Sequence, residues 1–177
     1  TRCQGVTGVQ TCALPIYIFA ISDGTAIVGA TGDDDNGSKS GSAYLFDAAT
    51  GNQIAKLTPD EGAAYDYFGG SVAISGSTAV VGAWRDDDNG SDSGSAYLFD
   101  AKTGTQTAKL TPDDGAENDQ FGISVAISGG TAVVGAHLDD DNGAMSGSIY
   151  LFNTITGNHI AKLTPEDGAS YDQFGIS

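Results

Sequence analysis

The stretch that decides the fold is "FGGSVAISGSTAVVGAWRDDDNGSDSGSAYLFDAKTGTQTAKLTPDDGAENDQ", Phe68–Gln120. Phe121–Gln173 repeats it without a gap, and Phe174 opens the pattern once more. "FG" stands at Phe68, Phe121 and Phe174, and "VGA" closes at Ala30, Ala83 and Ala136, always 53 residues apart. A fixed period of this length marks a repeat architecture, in which a unit buries its apolar surface against its neighbours. The units run 17–67, with an incomplete first strand, then 68–120 and 121–173, and 174–177 begins a further one.

Within a unit, "GSVAIS" and "TAVVGA" are rich in small and β-branched residues and bounded by Gly and Ser, the pattern of short strands. "SAYLFDA" and "QTAKLTP" follow, joined by Asp100-Ala-Lys-Thr-Gly104. That linker reads as a hairpin turn, because Asp bonds its own backbone and Gly supplies a positive φ. Pro112 ends the fourth strand, having no N–H for a ladder. No useful length shows a helical period. Four strands per unit, repeated without gaps, predict an all-β β-propeller fragment built from antiparallel blades. Such blades are covered on both faces, which accounts for their continuous apolar runs.

"FGxSVAIS…TAVVGA" resembles the FG-GAP repeats of integrin-α-like β-propellers, and most closely their bacterial type. The resemblance covers residues 19–177. It implies a propeller of around seven blades, so further blades of the same chain are expected. Residues 1–16 stand apart: they hold both cysteines, Cys3 and Cys12, and no acid. Val6–Ile16 resembles a translated sequencing-library adapter, so this segment is expected to lie outside the fold, and its cysteines support no disulfide or metal argument.

The chain carries 23 acidic residues against 7 basic ones, a formal net charge of −16. That balance excludes coating nucleic acid, which needs basic phosphate contacts. It equally disfavours an anionic membrane surface. No run approaches the about 20 apolar residues of a membrane span.

Antiparallel strands reverse direction, so loops 2–3 and 4–1 of every unit leave the same face. In the second unit, Asp86, Asp87, Asp88 and Asp92 lie in loop 2–3, and Asp113, Asp114, Glu117 and Asp119 in loop 4–1. Only Asp100 lies opposite. Neighbouring carboxylates at this density need either splay into water or a cation between them. Calcium, a hard ion taking six to eight oxygens from flexible acidic loops, is the candidate cofactor. Its candidate ligands are Asp33, Asp34, Asp35 and Asn36 in the first loop. The second offers Asp86, Asp87, Asp88, Asn89 and Asp92, and the third Asp139, Asp140, Asp141 and Asn142. The alternative reading is a solvated acidic turn. An EF-hand is excluded, since Gly32, Arg85 and Leu138 fall where that loop requires its first Asp. In integrin-like repeats the calcium loop joins the "FG" strand to the "GA" strand. Here that link is "ISGSTAVV" or "ISGGTAVV", so the family's own metal site is absent.

Trp84, Arg85 and His137 precede the triplets on the acidic face and are the candidate recognition residues, an exposed Trp-Arg pair having the composition of a binding hot spot. The opposing reading is drift at a position that only has to leave the strand. His137 and His159 each lack a histidine in the equivalent positions and read as surface variation. Lys56, Lys109 and Lys162 of "AKLTP" read as structural, offsetting acids on their own blades. No G-x-S-x-G elbow, Cys/His cluster or phosphate loop occurs. The expectation is a non-enzymatic binding or adhesion module with a protein or glycan ligand, secreted or at a bacterial cell surface as the resemblance implies. The alternative is the propeller part of a calcium-dependent hydrolase or lyase with its catalytic residues elsewhere.

Overall fold

The computed structural model describes residues 18–177; the segment 1–16 and its two cysteines therefore lie outside the described residues. Twelve strands form three antiparallel sheets with the orders β1-β2-β3-β4, β5-β6-β7-β8 and β9-β10-β11-β12. The middle blade consists of β5 (Ser71–Ser75), β6 (Thr78–Ala83), β7 (Ser95–Asp100) and β8 (Gln106–Leu110). The first runs from β1 (Phe19–Ser22) through β2 (Thr25–Ala30) and β3 (Ser42–Asp47) to β4 (Gln53–Leu57). The third holds β9 (Ser124–Ser128), β10 (Thr131–Ala136), β11 (Ser148–Asn153) and β12 (His159–Leu163). The first strands β1, β5 and β9 lie against one another, so they form the inner edge of a propeller arc. No helix is present among the described residues.

Alternation within β6 shows why the strands read as unbroken apolar runs. Val81 packs with Ile27, Leu45 and Leu57 of the first blade, while Val80 packs with Ala132, Val134 and Phe121 of the third. Both faces are buried, each against a different neighbour. On the flanks the pattern opens: Ile21 and Val28 of the first blade and Leu163 of the third are exposed, while their counterparts Ile74, Val81 and Leu110 are buried.

The recurring "FG" and "GA" have one physical cause. A side chain on Gly82 would collide with the Gly122 carbonyl oxygen of the next blade, 2.0 Å from the Cβ position, and Gly29 meets Gly69 in the same way. The strand and the incoming chain touch backbone to backbone. Phe68 is fully buried and meets the rings of Tyr97 and Phe99 edge-on at 5.6 and 5.8 Å. Phe121 does the same with Tyr150 and Phe152.

The link from β5 to β6 is a two-residue turn, since Ser75 pairs with Thr78. It has no room for a metal loop. The β7–β8 turn forms as the sequence predicts: Asp100 accepts the backbone N–H groups of Lys102 and Thr103 through Oδ1, both at 2.9 Å, and Gly104 has φ +73°.

Candidate functional site

Loops 2–3 and 4–1 are stitched into one face by backbone hydrogen bonds. Phe68 donates to Ser40 and Phe121 to Ser93, while Asn118 donates to Ser91. All acids except Asp23, Asp47 and Asp100 lie in these loops, which places 20 of the chain's 23 acids on one face. Its cations are Lys39, Lys56, Arg85, Lys109 and Lys162, so the face carries a formal charge of −15.

The three carboxylates of each triplet are held in different ways. The first is a buried hub: Asp86 is 2% exposed and accepts the Tyr97 hydroxyl at 2.6 Å and the Lys109 ammonium at 3.2 Å. Asp139 accepts Tyr150 at 2.8 Å, Ser148 at 3.0 Å and Lys162 at 2.8 Å. Asp33, more exposed, accepts Tyr44, Ser42 and Lys56 in the same arrangement. The lysines arrive there because each pairs across the strands with its tyrosine, Lys109 opposite Tyr97 in the β7–β8 ladder. Its ammonium group also lies 5.3 Å from the centre of that ring, a cation–π contact.

The second carboxylate turns to the backbone. Asp87 Oδ1 accepts the N–H of Asp92, and Asp34 that of Lys39, both at 2.7 Å. Asp92 and Lys39 have φ of +51° and +53°, so these bonds meet non-glycine residues in a conformation they rarely adopt, which Met145 shares in the third loop at +53°. The third carboxylate reaches the same lysine as the first, as Asp35, Asp88 and Asp141 all do. The amides of Asn36 and Asn89 donate their backbone N–H to Ser40 and Ser93 at 3.3 Å.

Electrostatics follow these contacts. The Lys56 hydrogen bond, reinforced by the Asp35 N–H, lowers Asp33 to about 2. Asp33 and Asp35 in turn raise Lys56 above its ordinary value. Burial lowers Lys109, but Asp88 and Asp86 outweigh it and the net shift is upward. Burial raises the hydroxyls of Tyr97 and Tyr150, so both remain donors. Asp66 and Asp119 behave oppositely to the triplets. Each sits buried in the chain between blades, accepts a single backbone N–H (of Ala63 or Ala116), and is raised to about 6. Burial is the main cause, and the neighbouring triplet adds to it.

The triplets as arranged do not fit calcium. In each loop the first and third carboxylates converge on an ammonium group, and in the first two loops the second points back at the chain. Among the described residues no group of three or more His, Cys, Asp or Glu side chains is assembled to hold a metal. The loop already contains a cation, and it is a lysine.

The candidate recognition residues separate. His137 is buried, which lowers its pKa, and its Nδ1 has no partner. It is not a surface variant, and neither is His159, whose Nδ1 lies 3.3 Å from Asp113 across the seam between blades. At the equivalent position Gln106 accepts the Asp60 N–H, so this column ties neighbouring blades together. Trp84 and Arg85 remain half-exposed and do meet. The Arg85 guanidinium lies 4.6 Å from the Trp84 ring centre and 5.4 Å from that of Tyr67, and the two rings are 5.4 Å apart. Beside them is a cavity of about 270 Å³ lined by Ile18, Thr31, Tyr67, Gly70, Trp84 and Ile123. Tyr67 and Gly70 escape a reading of one repeat alone. Comparison with the next copies, which carry Gln120 and Ile123 in their places, exposes both.

The family model of the FG-GAP repeat matches the chain three times, over residues 17–46, 52–99 and 105–152. Among solved structures, the chain is similar to the crystal structure of the computationally designed Ika4 protein, at 17% identity and a TM-score of 0.55, covering 93% of this chain and 78% of that one. It is also similar to the computationally designed Ika8 protein, at 16% identity and a TM-score of 0.54, covering 85% of this chain and 38% of that one. These likenesses concern the fold alone. No curated protein matches the chain.

Proposed function

This chain belongs to the FG-GAP repeat family, and from that premise we propose that it is a non-catalytic β-propeller binding module, secreted or at a bacterial cell surface, which engages its partner through the face of loops 2–3 and 4–1. The observation that carries the reading is the charge of that face. Three lysines pair with triplet carboxylates there, and the face as a whole still carries a formal charge of −15. A field of one sign steers oppositely charged partners and speeds their association. The partner is accordingly a basic protein surface rather than nucleic acid or an anionic membrane. Among the described residues no helix is long and apolar enough to cross a membrane.

The triplets support this face without serving as its ligands. Calcium is not required to organise them, because the lysine of each blade already supplies the positive charge. The most strongly engaged acids, Asp33, Asp86 and Asp139, each bond a tyrosine and a lysine of the same blade.

Arrays of proteins and glycans, probed with the labelled chain near physiological ionic strength, test the reading. Hits on basic proteins are expected, weakened by salt and by charge reversal at Asp60 and Glu61 but not at Asp47 and Asp100. Binding that ignores those substitutions, or turnover of an arrayed glycan, would contradict it.

A further inference from the structure

The cleft at Tyr67, Gly70 and Trp84 stands where the copies differ together. Tyr67, the last residue of the first unit, and Gly70, Trp84 and Arg85 of the second stand where Gln120, Ile123, His137 and Leu138 stand 53 residues on. A further period on, Gln173 and Ile176 again occupy the first two positions. These four residues span 19 positions of sequence and converge in space. A Cβ on Gly70 would stand 2.9 Å from Trp84 Cδ1 and 3.1 Å from Nε1, so the indole lies over the space that isoleucine takes in the other copies. The exchange of Ile for Gly admits the indole, which walls the adjoining cavity of about 270 Å³.

The cations of this face are distributed unevenly. Lys56, Lys109 and Lys162 are held by the triplets, whereas the remaining two, Lys39 and Arg85, both lie over the Tyr67 ring at 5.6 and 5.4 Å. They pin the ring that walls the cleft. The interior offers aliphatic and aromatic surface with few polar groups, which suits an apolar side chain better than a hydrophilic sugar. Its volume falls below that of a site enclosing a drug-sized ligand, which begins at about 300 Å³. A single large side chain fits it.

We propose that this cleft takes one large apolar side chain presented by a basic polypeptide segment. The apolar residue anchors in the Tyr67–Trp84 cleft, and basic residues on either side of it meet the surrounding carboxylates. Such an anchor, in a desolvated aromatic pocket within a charged rim, is the usual form of a binding hot spot. This inference rests on the reading of the loop face as a binding surface and names what that surface holds.

The probe is a capped heptapeptide with leucine at its centre, a glycine on each side and two lysines at each end. Counterparts replace the leucine by glycine, or the lysines by glutamate. Trp84 is the chain's single tryptophan, so its emission reports directly on the cleft. The leucine peptide should bind about tenfold more tightly than the glycine peptide, as burial of one aliphatic side chain implies, and the glutamate peptide should not bind. The combined variant Tyr67→Gln, Gly70→Ile, Trp84→His and Arg85→Leu installs the third copy's residues. By calorimetry it should bind the leucine and glycine peptides equally. Tyr67→Gln alone provides a second variant that leaves the indole in place, and it should lose most of the leucine advantage. Equal binding of both basic peptides to the unaltered chain would overturn the cleft and leave the acidic binding face standing. Failure of both to bind would overturn the binding face itself, and the cleft with it. Binding of the glutamate peptide as tightly as the lysine one would overturn the basic partner.

Discussion

In each acidic loop the same side chains meet the same partners: an aspartate under a tyrosine hydroxyl, a lysine across it and a second aspartate on that lysine. Around the neighbouring cleft, Tyr67, Gly70, Trp84 and Arg85 all depart from what the next copy holds. The two regions share one face of the molecule. What recurs in every copy is committed to holding a blade and its loop together, whereas what occurs once has no such duty in the repeat. The most conspicuous feature of the sequence, its aspartate triplets, is therefore internal support. The proposed binding feature lies where the repetition fails.

The sharpest test of this difference is a ranking within one triplet. Asp86→Ala leaves the Lys109 ammonium and the Tyr97 hydroxyl without their buried partner, and should lower unfolding free energy by about 3 kcal/mol in denaturant titrations. Asp87→Ala removes one bond to a strained backbone position and should cost about 1 kcal/mol. Asp88→Ala breaks an exposed ion pair and should cost less than about 1 kcal/mol. Three equal losses would make the triplet an undifferentiated acidic turn.

A second comparison sets the triplets against Asp66 and Asp119. These two are raised to about 6. Their favourable contribution is complete below the unfolded-state value near 3.8 and is lost as pH climbs through 6. Asp33, lowered to about 2, works in the opposite direction, contributing above 3.8 and failing as pH falls toward 2. Melting temperature should therefore be highest close to the unfolded-state value of 3.8, where the two opposing trends meet, and decline toward neutrality. Asp66→Asn keeps an acceptor for the Ala63 N–H without the charge. Near neutral pH it should stabilise the chain by up to about 2 kcal/mol, and it should flatten the decline. A melting temperature that rises steadily from pH 4.5 to 7.5 would contradict this assignment.

The smallest stability effect belongs to the cleft. Replacing Tyr67, Gly70, Trp84 and Arg85 by the third copy's residues exchanges one compatible set for another, and should change unfolding free energy by less than about 1 kcal/mol. A larger loss would mean that the four residues serve the seam rather than a ligand.

The blades were legible because the strands are short, recur at a fixed period and are closed by recognisable turns, as Asp100 and Gly104 show. The placement of acids on one face was equally legible, since it follows from antiparallel order alone. Their partners were not. Lys109 reaches Asp86 only through its register opposite Tyr97, and that register shifts between Leu98 and Phe99, where the β7–β8 ladder is irregular. The direction of Asp87, back toward the Asp92 N–H, depends on a positive φ at an aspartate, for which the sequence carries no sign. His137 stands at the Trp84 position, yet one is buried and the other half-exposed.

The central claim is that these loops carry their own cation. Thermal unfolding of the full chain in calcium, in magnesium and in chelator tests it directly, with Lys109→Met beside the unaltered protein. The three curves of the unaltered chain should coincide, and Lys109→Met should melt lower in chelator. A calcium-specific rise in the unaltered chain, abolished when Asp86, Asp87 and Asp88 become Asn, would show instead that the triplets are metal sites.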